Sequence, residues 1–168
     1  MTAPPPASPL PPHHAAALLR HFADLREGTH GGAATTREAK EELFAEAAAL
    51  LDPPARQALG EIDAHLLLGT GDLVATGVRQ TPDGVEARWT LTWPEQREAD
   101  VPPLALLAHY GTAFHHPHLR GVTVGEWPLN VFTAEQAAAE LPTLRAIVAA
   151  DLHNLVFRRD YRIVPASR

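Results

Sequence analysis

Four histidines fall between positions 109 and 118 of "HYGTAFHHPHLRG": His109, His115, His116 and His118. Neutral imidazole is the commonest metal ligand, and it is also the side chain that titrates nearest neutral pH. Such a concentration admits metal chelation or proton transfer. In an extended chain alternate residues point the same way, so His116 and His118 share a face across Pro117, which itself favours extended backbone before it. His109 has the opposite parity and joins them only through a bulge. Glu126 is the nearest carboxylate in sequence able to complete a ligand set. The candidate metal ligands are therefore His116, His118, His109 and Glu126, with Zn or Fe as the metals that imidazole and carboxylate suit.

Arg120 follows the histidines directly. A planar guanidinium grips carboxylate or phosphate with two parallel hydrogen bonds, which makes a small anionic molecule the candidate substrate. Asp151 adds a second coincidence. The apolar stripe of the last helix runs through Leu144, Ile147, Val148 and Leu155, and Asp151 interrupts it. An ionised carboxylate buried without partners is costly by several kcal/mol. A basic partner is expected for it, either the histidine segment or Arg120. A carboxylate behind an imidazole fixes its tautomer and raises its basicity, so His116, Asp151 and Arg120 form the candidate catalytic set for acid–base chemistry without a metal.

A plainer reading stands beside these. "HHPH" also suits an exposed turn, and Asp151 an ordinary structural contact. The chain is then a non-catalytic binding module or homodimer in which the histidines are incidental. His153 faces away from the stripe. Trp89 and Trp93 suit the core, and Trp127 suits a loop anchor or a pocket wall. No phosphate-binding glycine loop, dinucleotide fingerprint or serine-nucleophile elbow is present.

Composition narrows the classes. The net charge is −6 with scattered Lys and Arg, so no basic stripe offers itself to a nucleic-acid backbone. The absence of cysteine removes disulfides, thiolate metal sites and cysteine nucleophiles. No apolar run approaches the roughly 18 residues of a membrane span, and the start lacks the pattern of a signal peptide. These features point to a soluble cytoplasmic protein without a membrane partner.

The elements that must position the histidines follow from periodicity. Residues 1 to 12 hold six prolines and read as a disordered tail, leaving 13–168 as a single α+β domain. Leu18, Leu19, Phe22 and Leu25 predict an amphipathic helix from His13, ended by the glycines of "EGTHGGAA". Thr35 and Glu38 form a capping box opening a second helix with Ala39, Leu43, Ala47, Leu50 and Leu51 inward. Asp52-Pro53 opens a third, with Ala55, Leu59, Ile62 and Leu66 on one side. The period then changes to two. Leu73 to Gln80, the turn Thr81-Pro82-Asp83-Gly84, and the alternation Val85, Ala87, Trp89, Leu91, Trp93 predict a hairpin. The alanines and leucines of "LALLAHYGTAF" suit a helix, while Tyr110-Gly111-Thr112 and its place after a hairpin favour a third strand, and residues 115 to 132 are irregular. Thr133 and Gln136 cap a long C-terminal helix that Pro142 interrupts or restarts, and "YRIVP" is a short last strand. The predicted fold is α+β: N-terminal amphipathic helices packed on a small, mainly antiparallel sheet.

Overall fold

The structure, a computed structural model, describes residues 10–168. Residues 1–9 of the expected Pro-rich tail lie outside them. Helix α1 (His13–Glu27) stops at Gly28, whose φ of 70° is the left-handed conformation glycine adopts without steric cost. Its orientation reverses the expectation. Leu18, Leu19, Phe22 and Leu25 are between 40% and 61% exposed, and the residues α1 buries are His21 and Asp24. The polar side has the partners. Arg20 donates to the Asn130 side chain at 3.0 Å, and Asp24 accepts from the Thr29 hydroxyl and the amides of Gly31 and Gly32. Periodicity identifies the two sides of a helix but not which of them the rest of the molecule satisfies.

Helix α2 (Arg37–Leu66) replaces the two helices expected over this region. Thr36, one residue later than predicted, caps it by accepting the Ala39 amide at 3.2 Å. Pro53 and Pro54 lie inside it rather than at a new start. An interior proline costs about 3 kcal/mol through its missing N–H and its clash with the preceding turn. Set against this is an uninterrupted buried face that includes Phe44, Leu51, Ala55 and Leu59. Burying each of the large members contributes about 1.5–3 kcal/mol, enough to carry the helix through the break. Asp52, expected as a cap, instead accepts the Trp89 indole N–H at 2.8 Å.

The sheet is antiparallel throughout, with spatial order the same as chain order: β1 (Asp72–Thr81), β2 (Gly84–Thr92), β3 (Leu104–Gly111), β4 (His118–Arg120) and β5 (Trp127–Pro128). At Gly84 any Cβ would run into the Tyr110 carbonyl oxygen, which is why the β1–β2 turn closes with glycine. The predicted alternation holds, since Val85, Ala87, Trp89, Leu91 and Trp93 are all buried. A short helix, α3 (Pro94–Glu98), occupies the loop expected after β2. Residues 104 to 111 form a strand, as read from the sequence.

Helix α4 (Ala134–Ala139) is capped by Thr133, and α5 (Leu141–Arg158) restarts with Pro142 in its first turn, where a proline loses nothing. Helices α2 and α5 pack on one side of the sheet, around a core that includes Phe44, Leu106, Tyr110 and Leu144. The short last strand expected at "YRIVP" is absent. Tyr161–Ile163 and Pro165–Ser167 are 3-10 turns, pinned by the Trp93 indole donating to the Ile163 carbonyl at 2.6 Å. The architecture is α+β.

Candidate functional site

The site is built on the side of the sheet turned away from α2 and α5. Strand β4 returns antiparallel to β3 with Leu107 opposite Arg120, Ala108 opposite Leu119 and His109 opposite His118. Directly paired residues project on the same side with Cβ atoms about 4.5–5.5 Å apart. The parity objection to His109 therefore disappears. The chain does not continue extended from 104 to 118; it turns back between them, and cross-strand register replaces sequence parity. The two imidazole rings stack with centroids 5.5 Å apart.

Glu126, from the loop between β4 and β5, faces both rings. His109 Nε2 is 3.3 Å from one of its oxygens, and His118 Nδ1 is 3.6 Å from the other. Neither nitrogen is hydrogen-bonded, and both are buried. One potential ligand atom from each residue lies within 4.8 Å of the others. Two bonds of 2.0–2.1 Å at a tetrahedral angle hold ligand atoms roughly 3.3–3.4 Å apart, so small side-chain adjustments would bring one atom of each residue onto a shared cation. Burial lowers the pKa of His109 against the opposing pull of Glu126, and Arg120 lowers it further. Burial lowers that of His118 as well, again opposed by Glu126 and reinforced by His109 and His21. Burial thus favours the neutral form of both imidazoles, the protonation state a metal requires.

A cleft of about 430 Å³ opens beside these residues, bordered by His109, Glu126, Phe114, Val85, Leu107 and Arg120. The Phe114 ring meets His118 edge-on at 4.7 Å. Arg120 makes no hydrogen bond or ion pair among the described residues, so its guanidinium is free at the cleft wall.

Two scaffolds hold the loops in place. Arg37 of α2 stacks 3.4 Å over the Tyr110 ring and donates to the carbonyls of Tyr110, Gly111 and Phe114. Lys40, one turn on, reaches the His115 carbonyl at 3.4 Å. On the other side Asp151, fully buried, accepts the amides of Val122 at 2.6 Å and Thr123 at 2.7 Å, and the Thr123 hydroxyl. Asn154 donates to that same hydroxyl at 2.8 Å. Gly121 is required here, because a Cβ would collide with the Asp151 carboxylate.

The structure therefore brings His109, His118 and Glu126 together, with Arg120 nearby. It does not bring Asp151 to the histidines. The partners expected for Asp151 were basic side chains; the actual ones are backbone amides and a hydroxyl, and they use both of its oxygens. The pairing of His116 with Asp151 as an acid–base couple is corrected accordingly. His116 stands just before β4, 4.6 Å from the His118 ring, and lies outside the set of converging ligand atoms. It packs instead on His21 of α1 at 4.4 Å. His21 and the clamps Arg37 and Lys40 were missed from sequence, where nothing marks a residue that reaches its partner across 70 or more positions. His153 is exposed, Trp89 and Trp93 are core, and Trp127 pairs with Leu119 through its backbone.

No protein-family model, no curated protein and no solved structure matches the chain. No described helix is long and apolar enough to cross a membrane.

Proposed function

We propose that the chain is a metal-dependent enzyme that binds a divalent ion, Zn or Fe, through His109, His118 and Glu126 and acts on a small carboxylate or phosphate. What supports this reading is the single carboxylate facing two buried imidazole nitrogens, 3.3 Å and 3.6 Å from its two oxygens, at the edge of an open cleft. Three protein ligands leave coordination positions for water or substrate. Two histidines with one carboxylate are the donor set both of hydrolytic Zn sites and of Fe(II) sites that activate oxygen. The ion would polarise a bound substrate oxygen or lower the pKa of a bound water. Arg120 orients the substrate anion, and Phe114 with Leu107 and Val85 supplies an apolar wall for its carbon skeleton.

The test is calorimetric titration of the full chain with Zn²⁺ and, under anaerobic conditions, Fe²⁺. Loss of a residue that merely supports a ligand costs 10–100-fold in affinity, so His109→Ala and Glu126→Gln are expected to cost at least about 100-fold. Arg120→Gln leaves metal affinity intact but weakens the binding of acetate or benzoate to the Co²⁺-loaded protein by roughly 10–100-fold, the worth of a charge-assisted pair. Metal binding that survives both ligand variants unchanged, or no binding at all, removes this reading.

One observation favours a second reading, a non-catalytic homodimer. The apolar stripe of α1 faces solvent. Sedimentation at increasing concentration distinguishes it, with a Leu19→Ser variant expected to stay monomeric if α1 is the contact.

A further inference from the structure

The side of the sheet turned away from α2 and α5 carries rows of directly paired residues whose chemistry changes along the strands. Gly84 lies opposite Gly111 beside the β1–β2 turn. Glu86, His109 and His118 form the next row across β2, β3 and β4, and Arg88, Leu107 and Arg120 form the one after. Successive rows on one side of a sheet are two residues, about 7 Å, apart. Asp83 in the turn and Arg120 in the last row both border the cleft, so it runs from an acidic end to a basic one.

The arginine row is the part that internal contacts leave unaccounted for. Arg120 is exposed, with no side-chain hydrogen bond or ion pair among the described residues. Arg88 has one acidic neighbour, Glu86 at 4.0 Å, and its Nε is buried without a hydrogen-bond partner. Glu86 is already taken by Arg79, which donates twice to the same oxygen at 2.5 Å and 3.0 Å. Glu126 faces the two histidines. Three arginines thus share these rows with two glutamates, both engaged elsewhere. One strand separates Arg88 from Arg120, which puts their Cα atoms about 9.5 Å apart. Leu107, a wall residue of the cleft, lies between them. Each planar guanidinium grips a carboxylate through two parallel bonds. Two such forks on either side of an apolar side chain suit a short carbon chain with an anionic group at each end.

We infer that Arg88 and Arg120 form a two-point anion site astride Leu107, and that the molecule it holds is a short-chain dicarboxylate of about the size of succinate. Arg120 holds any small carboxylate, and Arg88 selects the one that carries a second charge. The arginine pair stands on register and charge alone; that the dicarboxylate is the substrate of the adjoining His109–His118–Glu126 centre rests on the reading proposed above.

The test is calorimetric titration of the full chain, kept metal-free with chelator, with succinate, propionate and inorganic phosphate, and circular dichroism to confirm folding of each variant. Succinate is expected to bind roughly 10–100-fold more tightly than propionate, the worth of a second charge-assisted pair. Arg88→Gln removes that preference and leaves propionate binding as it was, whereas Arg120→Gln weakens both. Arg158→Gln, an equal loss of charge at an exposed position on α5, changes neither. No succinate binding, equal affinity for succinate and propionate, or a preference that survives Arg88→Gln overturns the site. So does tighter binding of phosphate that needs both arginines, since the pair then converges on one anion. Because the protein is metal-free, each of these outcomes is independent of whether Zn²⁺ binds, and failure of the metal reading leaves the arginine site standing.

Discussion

Replacing Asp151 distinguishes a residue that shapes the site from one that reacts in it. Its carboxylate accepts two backbone amides and one hydroxyl with no exposure to water. Hydrogen bonds to a charged acceptor contribute about 1.5–3 kcal/mol each, and a buried donor left without a partner costs about 1–3 kcal/mol. Asp151→Ala strands all three donors and is expected to cost about 4–5 kcal/mol, a large share of the 5–15 kcal/mol typical of a whole domain. Asp151→Asn keeps one acceptor oxygen but turns an N–H against the Val122 or Thr123 amide, for a cost of about 2–3 kcal/mol. Thr123→Val removes only the hydroxyl, at about 1–1.5 kcal/mol. With a urea slope near 2 kcal/mol per molar, the Asn variant shifts the unfolding midpoint down by about 1–1.5 M. The loop that Asp151 fastens carries Glu126, so Zn²⁺ affinity in the still-folded Asn variant falls about 10–100-fold, as for other residues that orient a ligand. Urea melts in the presence of chelator, followed by Zn²⁺ titration, read both quantities. An Asn variant with unchanged midpoint and unchanged affinity would refute the reasoning.

Acid stability tests the burial of His30. Burial lowers its folded pKa to about 4, below the 6.5 of an imidazole in water, so the unfolded chain binds more protons between those two pH values. Stability contributed by the neutral ring is intact above 6.5 and is lost as pH falls toward 4. The loss reaches about 2 kcal/mol at pH 5, and in metal-free protein His30→Phe should remove that part of the difference between pH 7 and pH 5. An equal acid loss in the variant counts against it. The inverted α1 makes a third prediction: Phe22→Ser changes thermal stability by less than about 0.5 kcal/mol, because the side chain is more than half exposed. A core-facing phenylalanine would cost several times that.

Much of the fold was legible because its signals are local. The alternation from Val85 to Trp93, the Thr133 cap and the glycine and proline punctuation each involve neighbours within a few residues. What escaped were contests between a local rule and a distant partner. Pro53 and Pro54 mark a helix start by every local criterion, yet the buried face running through Leu51 and Ala55 and the Trp89 hydrogen bond to Asp52 hold one helix together. In α1 the stripe of Leu18, Leu19, Phe22 and Leu25 was read correctly and aimed wrongly, since the burial of His21 depends on His116, 95 positions away. At the site, the histidine segment and Glu126 stood out by composition. The pairing of His109 with His118 required knowing where the chain turns, and parity arguments assume that it does not. Asp151 was recognisable as a buried carboxylate, but its partners are backbone amides, which leave no trace in residue type.

The register that places His109 opposite His118 is checked by a residue with no chemistry of its own. Leu119 lies between His118 and Arg120 and is 2% exposed on the core side of the sheet. A slip of β4 by one position would expel Leu119 into water and turn both His118 and Arg120 into the core, so all three errors arrive together. The alternation of a three-residue strand thus acts as error correction for the site. Ordinary pressure to keep a leucine dry protects the aim of a histidine and an arginine, whether or not anything is bound to them.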